Sequence, residues 1–501
     1  MNKITLTIVL LVFTLQTGIS NNLQITNLSW NEITKKLRFD ISYDNSFHVT
    51  NYHWYDFAYV FIKYKNATGN EWQQYTFDRD TAVNSISSGT SVRLGTINIG
   101  SNGDYLGWKT LTTPPYNGTV SETFEIALEN PNITLRDPSF KVFGIEMIMN
   151  YVQGYFPYYL GDGGANSRYH NGSNSLQPFY FSGSGTVTVG SGNGQLSSTT
   201  GDLSGVVSFN GLAIKAPNSC MKYEISQQQY VDFLNCLTRV QQNQRTATNI
   251  DNPSGNYYVM TNSSVVLNRN GVKMPVNAPV GAPIEFYCDL NENDIPNEYY
   301  DGQNIAMNYL SGQDLYAYLD WAGLVPINEM QYEFLCRADN YPQSLDLAWG
   351  TSGYNAAAPL QAGTEGSPDE VMEIDSLVGP IRISNIPYRV GYAATSNSNR
   401  LYSGSGPFGS MNLSDNVGEI VKKLNDPADF IVYSSYLPDG YLDQNGNSDA
   451  GWGQKIEVRG IILNAGGFPY VYPISDRSFN AGGFSSRSSQ TGGRGYIYNP
   501  F

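Results

Sequence analysis

Imidazole is scarce in this chain. Its three histidines are His48, His53 and His170, so nothing beyond residue 170 has a histidine to serve as base or metal ligand. Thiols are nearly as rare: the four cysteines are Cys220, Cys236, Cys288 and Cys336, and no two lie close in sequence as a soft metal pair would. Charge is thin as well. Asp, Glu, Lys and Arg make up 15% of residues, against about 25% in an average soluble protein. The 29 basic residues form no run and face 44 acidic ones, a net charge of −15. Nucleic-acid binding draws its affinity from Lys and Arg on phosphates, so no nucleic acid is expected as partner. Beyond the first twenty residues no apolar stretch approaches the ~18 residues of a spanning helix, and no membrane insertion is expected.

What is present is glycine, tyrosine, serine and asparagine, with 50 Gly and 37 Tyr in 501 residues. That balance suits a loop-rich, mostly β, extracellular protein of more than one domain. The start of the chain agrees. Lys3 precedes an apolar stretch from Ile4 to Leu15, and Gly18 and Ser20 are the small residues flanking a cut before Asn21. Residues 1–20 therefore read as a secretory signal peptide, and the protein as secreted or held at the cell surface. No cysteine follows the cut, so a lipid anchor is not expected.

Residues 21–141 carry strand periodicity. Leu37, Phe39, Ile41 and Tyr43 alternate with polar partners, as do Phe124, Ile126 and Leu128, while Ala58 to Ile62 is continuously apolar like a central strand. The pattern predicts an all-β sandwich. Residues 161–206 are rich in Gly, Ser and Asn and read either as a linker or as an excursion inside the second domain. Three helices then announce themselves by capping pairs: Ser226 with Gln229, Ser311 with Asp314, and Asn328 with Gln331, each followed by apolar residues at helical spacing. The final third is Gly-rich and strand-poor, and needs fasteners such as disulfides or bound ions. Four cysteines in an exported chain suggest one or two bridges with three possible connectivities; Cys236 and Cys336 also fall on apolar helix faces, where buried free thiols are common.

Several blocks in order carry a resemblance. Met221 to Asn235, then Asn308 to Ser311 and Asp320 to Glu329 with Tyr332-Glu333 and Cys336-Arg337, then Leu347 to Ser352, Tyr402 to Glu419, Val458-Arg459-Gly460, Ser475-Asp476-Arg477 and Gly492-Gly493-Arg494 resemble the successive signatures of the formylglycine-generating enzyme (sulfatase-modifying factor) family. Gly144 to Met147, with Gly154 and Gly161-Asp162-Gly163, resembles its first strand and turn, so the likeness covers residues 142–501 with the Gly-rich stretch as an insertion. Residues 21–141 resemble the β domain that precedes such modules in secreted Bacteroidetes proteins. The resemblance implies an α+β fold, C-type-lectin-like, with little regular structure, preceded by the all-β sandwich.

Active members of that family hold copper through two cysteines of the closing block, and a second branch uses a three-histidine iron site. Here Arg459 to Arg477 contains no cysteine and the domain's main body no histidine, so neither copper nor iron is expected and the resemblance points to a non-catalytic relative. Calcium stays in view as a structural ion. Carried over position by position, its ligands fall on Asn412, Asp415, the carbonyl of Val417, and Glu419; Gly418 stands where the family has Trp. Two further loops, Asp289 to Glu298 and Asp443 to Asp449, space oxygen side chains like fragments of a calcium loop, although Asx turns do the same without an ion. Asp369-Glu370 reads as solvated surface. The function expected is binding or scaffolding, with a protein or glycan ligand at the cell surface. The loop Ala465 to Tyr472 and the segment Tyr155 to Tyr159 are either contact patches or core packing. The alternatives are a component of a Bacteroidetes secretion or gliding apparatus, a receptor diversified over residues 464–498, or a protein-modifying oxidase with an unrecognised site.

Overall fold

The structure, a computed structural model, describes residues 23–50, 54–67, 71–76, 86–87, 92–98, 105–128, 135, 138–150, 157–203, 205–215, 219–357, 363–371, 379–382, 386–394, 399–425, 429, 437–465, 468–479 and 482–497. The expected signal peptide, His53, Gly154 and Tyr155 lie outside these. Among the described residues no helix is long and apolar enough to cross a membrane.

The first part is built from strands β1 (Gln24–Asn31), β2 (Lys36–His48), β3 (Trp54–Lys65), β4 (Val92–Asn98), β5 (Tyr105–Thr112), β6 (Tyr116–Ala127) and β7 (Ser139–Asn150). Alternation in β2 does what its sequence predicts: Leu37, Phe39, Ile41 and Tyr43 are buried, and each faces a register partner on β6, Phe39 opposite Phe124 and Tyr43 opposite Val120. β1, β2 and β6 form one layer, while β4, β5, β3 and β7 form the other. The layers join where His48 of β2 pairs with Tyr55 of β3. Between them lies a core that includes Leu37, Phe39, Ile41, Ala58, Val60, Ile62, Trp108, Phe124 and Ile126.

β3 is buried on both faces because its other side carries a second core. Phe57, Tyr59 and Phe61 point away from the sandwich and pack on helices α1 (Gln227–Leu234) and α3 (Gly312–Trp321). Phe61 and Phe233 both meet the Trp321 ring edge-on, at 5.2 and 5.4 Å. The sheet itself continues into the second part. β8 (Ser219–Met221) pairs with β7, β9 (Val325–Pro326) closes the sheet's edge, and β12 (Gly495–Tyr496) lies between β8 and β9. The boundary expected at 141/142 thus falls inside β7, a strand of the sheet that both parts share. A smaller sheet pairs β10 (Gly418–Lys422) with β11 (Ile456–Arg459).

All three expected capping boxes form, at Ser226, Ser311 and Asn328, and they start α1, α3 and α4 (Glu329–Arg337). Between α1 and α3 lies α2 (Arg239–Gln244), opened by a box of Thr238 with Gln241 that carries the same sequence signal. The Gly-rich stretch is no linker. It forms short strand pairs, Tyr169–Asn171 with Leu196–Ser198 and Thr186–Thr188 with Ser208–Asn210, and its Tyr169, Val187 and Leu196 share a core with Phe334 and Leu335 of α4. The result is an α+β, β-rich protein with a large, predominantly antiparallel sheet and a few short helices.

The disulfides expected from the even cysteine count are absent: all four thiols are free and buried. The physical reason is that each fills a core site, Cys236 and Cys288 in the core around α1 and α3, and Cys220 and Cys336 in that around α4. Burial pushes the thiols of Cys236 and Cys336 up to about 12, so both are unreactive at neutral pH. Thiol-reactive dye should therefore label no cysteine in the native protein and four after denaturation, and reductant should leave the melting temperature unchanged. The two parts are locked by Lys222, whose ammonium bonds Asp56 at 2.8 Å and Glu146 at 3.3 Å inside the shared sheet. Lys222→Met would leave two buried carboxylates without their cation, and should lower unfolding free energy by about 3–5 kcal/mol in urea titration.

Candidate functional site

The signature blocks far apart in sequence meet around α4. Asn328 caps the helix, its side chain accepting from the N–H groups of Met330 and Gln331 at 3.1 and 2.9 Å. This fixes Glu329 and Glu333 one turn apart on a buried face. Arg477 donates to both oxygens of Glu329, at 2.6 and 3.0 Å, and its guanidinium lies over the Tyr169 ring at 4.0 Å. Arg459, from β11, reaches Glu333 at 3.1 Å and Glu329 at 3.5 Å. Arg337 bonds Glu333 at 2.8 Å and takes Asp346 in a two-point contact at 2.9 and 2.6 Å. Ser475 and the N–H of Gly161 complete the shell of Glu333. Burial raises the Glu329 carboxyl, but Arg477 and Arg459 more than cancel this and hold it below its ordinary value. Gly460, at φ +65°, is required where β11 turns: a Cβ there would lie 2.0 Å from the Leu413 carbonyl.

A second buried pair stands beside it. Arg494 binds Glu419 through Nε at 2.6 Å and the carbonyl of Met411 at 2.6 Å. Glu224 accepts from the Val417 N–H at 2.9 Å and from Asn416 at 2.6 Å. Burial and then the neighbouring Glu419 push Glu224 well above the ordinary carboxyl range.

These contacts locate the four expected calcium ligands. All four are buried, Asn412, Asp415 and Val417 in the turn leading into β10 and Glu419 within that strand. The Asn412 side chain accepts from Gly391 N–H at 2.9 Å, and Asp415 accepts from the Tyr392 hydroxyl. Glu419 is charge-paired with Arg494 through one oxygen, while its second oxygen, Oε2, makes no hydrogen bond. The donor set thus already contains a cation, and its remaining unbonded side-chain oxygen is that of Glu419.

The other acidic positions divide. In the loop from Asp289, the Lys273 ammonium sits between Asp289 and Asp294, supplying the positive charge itself. Asp443 closes an Asx turn, accepting from the N–H groups of Asn445 and Asn447 at 2.8 Å each. Asp449 at the far end of that loop instead joins Asp320 and Asp439, with one oxygen of each within 4.8 Å of the others. Ser448 donates to Asp320 at 2.6 Å. Burial, together with Asp439 and Asp449, pushes Asp320 up to about 7. The nearby Lys63 ammonium is spent on the carbonyls of Trp321 and Gly440. The sequence hid this trio because Asp320 comes from a helix more than a hundred residues before the loop that carries Asp439 and Asp449. Asp369-Glu370 is not solvated surface: Glu370 is fully buried against Arg269, which donates to it at 2.9 Å.

Of the aromatic segments, Tyr158 is core, while Tyr159 packs against Tyr180 and Tyr341 at 5.2 and 5.1 Å, both of which are exposed. In the other loop, Tyr472 packs on Phe479. An open cavity of about 580 Å³ lies elsewhere: between β7, the start of β1, α1 and the loop at Glu298 to Asn304. No protein-family model and no curated protein matches this chain.

Arg459→Met or Glu333→Gln should each cost about 3–5 kcal/mol in urea titration, because each strands a buried charge. Removing the exposed Lys35–Glu32 pair should leave the urea midpoint nearly unchanged. Asp320 adds a pH signature. Its folded value lies above the ~3.9 of an unfolded Asp, so the folded chain holds the extra proton and stability falls as pH rises from about 4 to 7. Asp320→Asn should shrink the difference between urea midpoints at pH 5 and pH 8.

Proposed function

We propose that this protein is an exported, non-catalytic relative of the formylglycine-generating-enzyme family, with a C-type-lectin-like second domain that works in binding or scaffolding at the cell surface. One observation carries the reading. The blocks that give the resemblance, at Glu329, Glu333, Arg337, Arg459, Ser475 and Arg477, are those whose side chains converge in one buried network. Their polar groups are engaged in ion pairs and hydrogen bonds that hold the loops together. The same blocks thus serve as a frame, leaving recognition to surfaces outside them. A protein or glycan is the ligand class that an exported frame with Tyr-, Ser- and Asn-rich loops suits.

Calcium belongs to this reading as a stabiliser. Glu419 Oε2 and the trio of Asp320, Asp439 and Asp449 are the oxygen donors a hard cation would use. The test of the family reading is oxygen uptake with a cysteine-containing sulfatase peptide and copper. No turnover is expected, and turnover abolished by a chelator would overturn the non-catalytic assignment. For the ion, calcium should raise the melting temperature at pH 8 relative to a chelator control. An unchanged melting temperature removes calcium from the account.

A further inference from the structure

We propose that the groove between β7, α1 and the start of β1 takes up an extended, basic segment of a partner protein as an added strand of the large sheet. This names a partner class for the binding reading above and rests on it.

β7 is paired on one side along its whole length, from Ser139 opposite Lys65 to Asn150 opposite Trp54, without a bulge. On its other side β8 covers only Met147 to Met149, and the Lys222 N–H adds a bond to the Glu146 carbonyl at 2.9 Å. In an antiparallel strand, N–H and C=O of one residue point to the same edge, and successive residues alternate. The Glu146 bond therefore assigns Gly144, Val142 and Phe140 to the same outward edge. Among the described residues none bonds the main chain of Val142 or Gly144 across it. Natural sheets guard such an edge with a proline, a bulge or an outward lysine. The residues whose main chain faces this edge are Phe140, Val142 and Gly144, the strand is regular, and its one lysine, Lys141, is turned to the Asn235 carbonyl at the end of α1, 3.0 Å away.

The edge opens into the cavity of about 580 Å³ rather than onto flat solvent. Leu23 and Ile25 form one wall, and they approach closely because residue 144 is glycine: a Cβ there would meet Leu23 at 2.7 Å. Phe143, Trp321 and α1 form the other wall. A strand of about five residues, some 16 Å long, matches the edge from Phe140 to Gly144, and its alternate side chains would face the two walls.

Charge selects the occupant. Among the described residues the lining includes Glu146, Asp232 and Glu298 and no lysine or arginine. Glu146 is held by Lys222, so the charge offered to a ligand is that of Asp232 and Glu298. Asp232 is bonded by Gln228 at 2.9 Å; Lys141, outside the lining, is the basic group acting on it. Lysine or arginine at alternate positions of the incoming strand would meet these carboxylates while its main chain pairs with β7.

The test uses the mature chain, residues 21–501, and a fluorescein-labelled hexapeptide alternating lysine and valine, followed by fluorescence anisotropy. Saturable binding below about 1 mM is expected. Methylating alternate amide nitrogens of the peptide should weaken it about tenfold or more, since each lost main-chain bond is worth about 1 kcal/mol. A glutamate–valine peptide should not bind, and Asp232→Asn with Glu298→Gln should weaken the lysine peptide severalfold. Hydrogen exchange should show new protection at Val142 and Gly144. Lack of saturable binding, equal binding of the methylated peptide, or protection confined to another surface would each overturn the proposal. Because the peptide is varied as well as the protein, a misfolded variant cannot decide the result. Failure here leaves the non-catalytic reading standing, whereas copper-dependent turnover would overturn that reading without changing the peptide-binding result.

Discussion

Glu329 and Glu333 of one short helix, clasped by Arg337, Arg459 and Arg477, are the interaction on which the loop-rich part of the chain depends. The helix is nine residues long, too short to be stable by itself, and the strands it touches have three to five residues. Regular hydrogen-bond ladders cannot organise such a chain. Charged groups taken out of water can, because each ion loses several kcal/mol of hydration unless its partners stand in one arrangement. Arg477 comes from a loop near the C-terminus, Arg459 from a strand end, and Gly161 and Tyr169 from the Gly-rich segment. All are drawn to the same two carboxylates, so the network sets where those loops run.

The same device fastens the two parts of the molecule. Lys222, next to β8, reaches back to Asp56 of β3 and Glu146 of β7. Around it the sheet passes from one part into the other through β7 and β8. Sharing a strand makes the first part's sheet a wall of the core around α1 and α3, with Phe57, Tyr59 and Phe61 turned toward those helices. Among the described residues it also leaves the far half of β7 unpaired on that edge, since β8 is only three residues long.

Local signals were legible in proportion to how local their physics is. The capping boxes of α1, α3 and α4 follow from side chains reaching three residues along the chain, and all three form. The α2 box of Thr238 and Gln241 carried the same signal but lacks the apolar periodicity that marked the others. Alternation in β2 and the apolar run in β3 reported burial on one face and on two. By contrast, Glu370 looked solvated because Arg269, which buries it, is a hundred residues away. The four cysteines looked like disulfide candidates because spacing says nothing about which core each enters.

The sequence by itself determined element type, the mostly β character and the shortage of imidazole and paired thiols, because these are properties of composition and of neighbours within a few residues. Tertiary structure decided which charges meet. It gave the Asp289 loop to Lys273, paired Glu419 with Arg494 and brought Asp320, Asp439 and Asp449 together. It also decided which strand edge stays open, since an edge is covered or bare according to where a distant segment ends. Electrostatic partners and sheet neighbours are chosen across space, and the energy that selects them appears only once the intervening chain has folded.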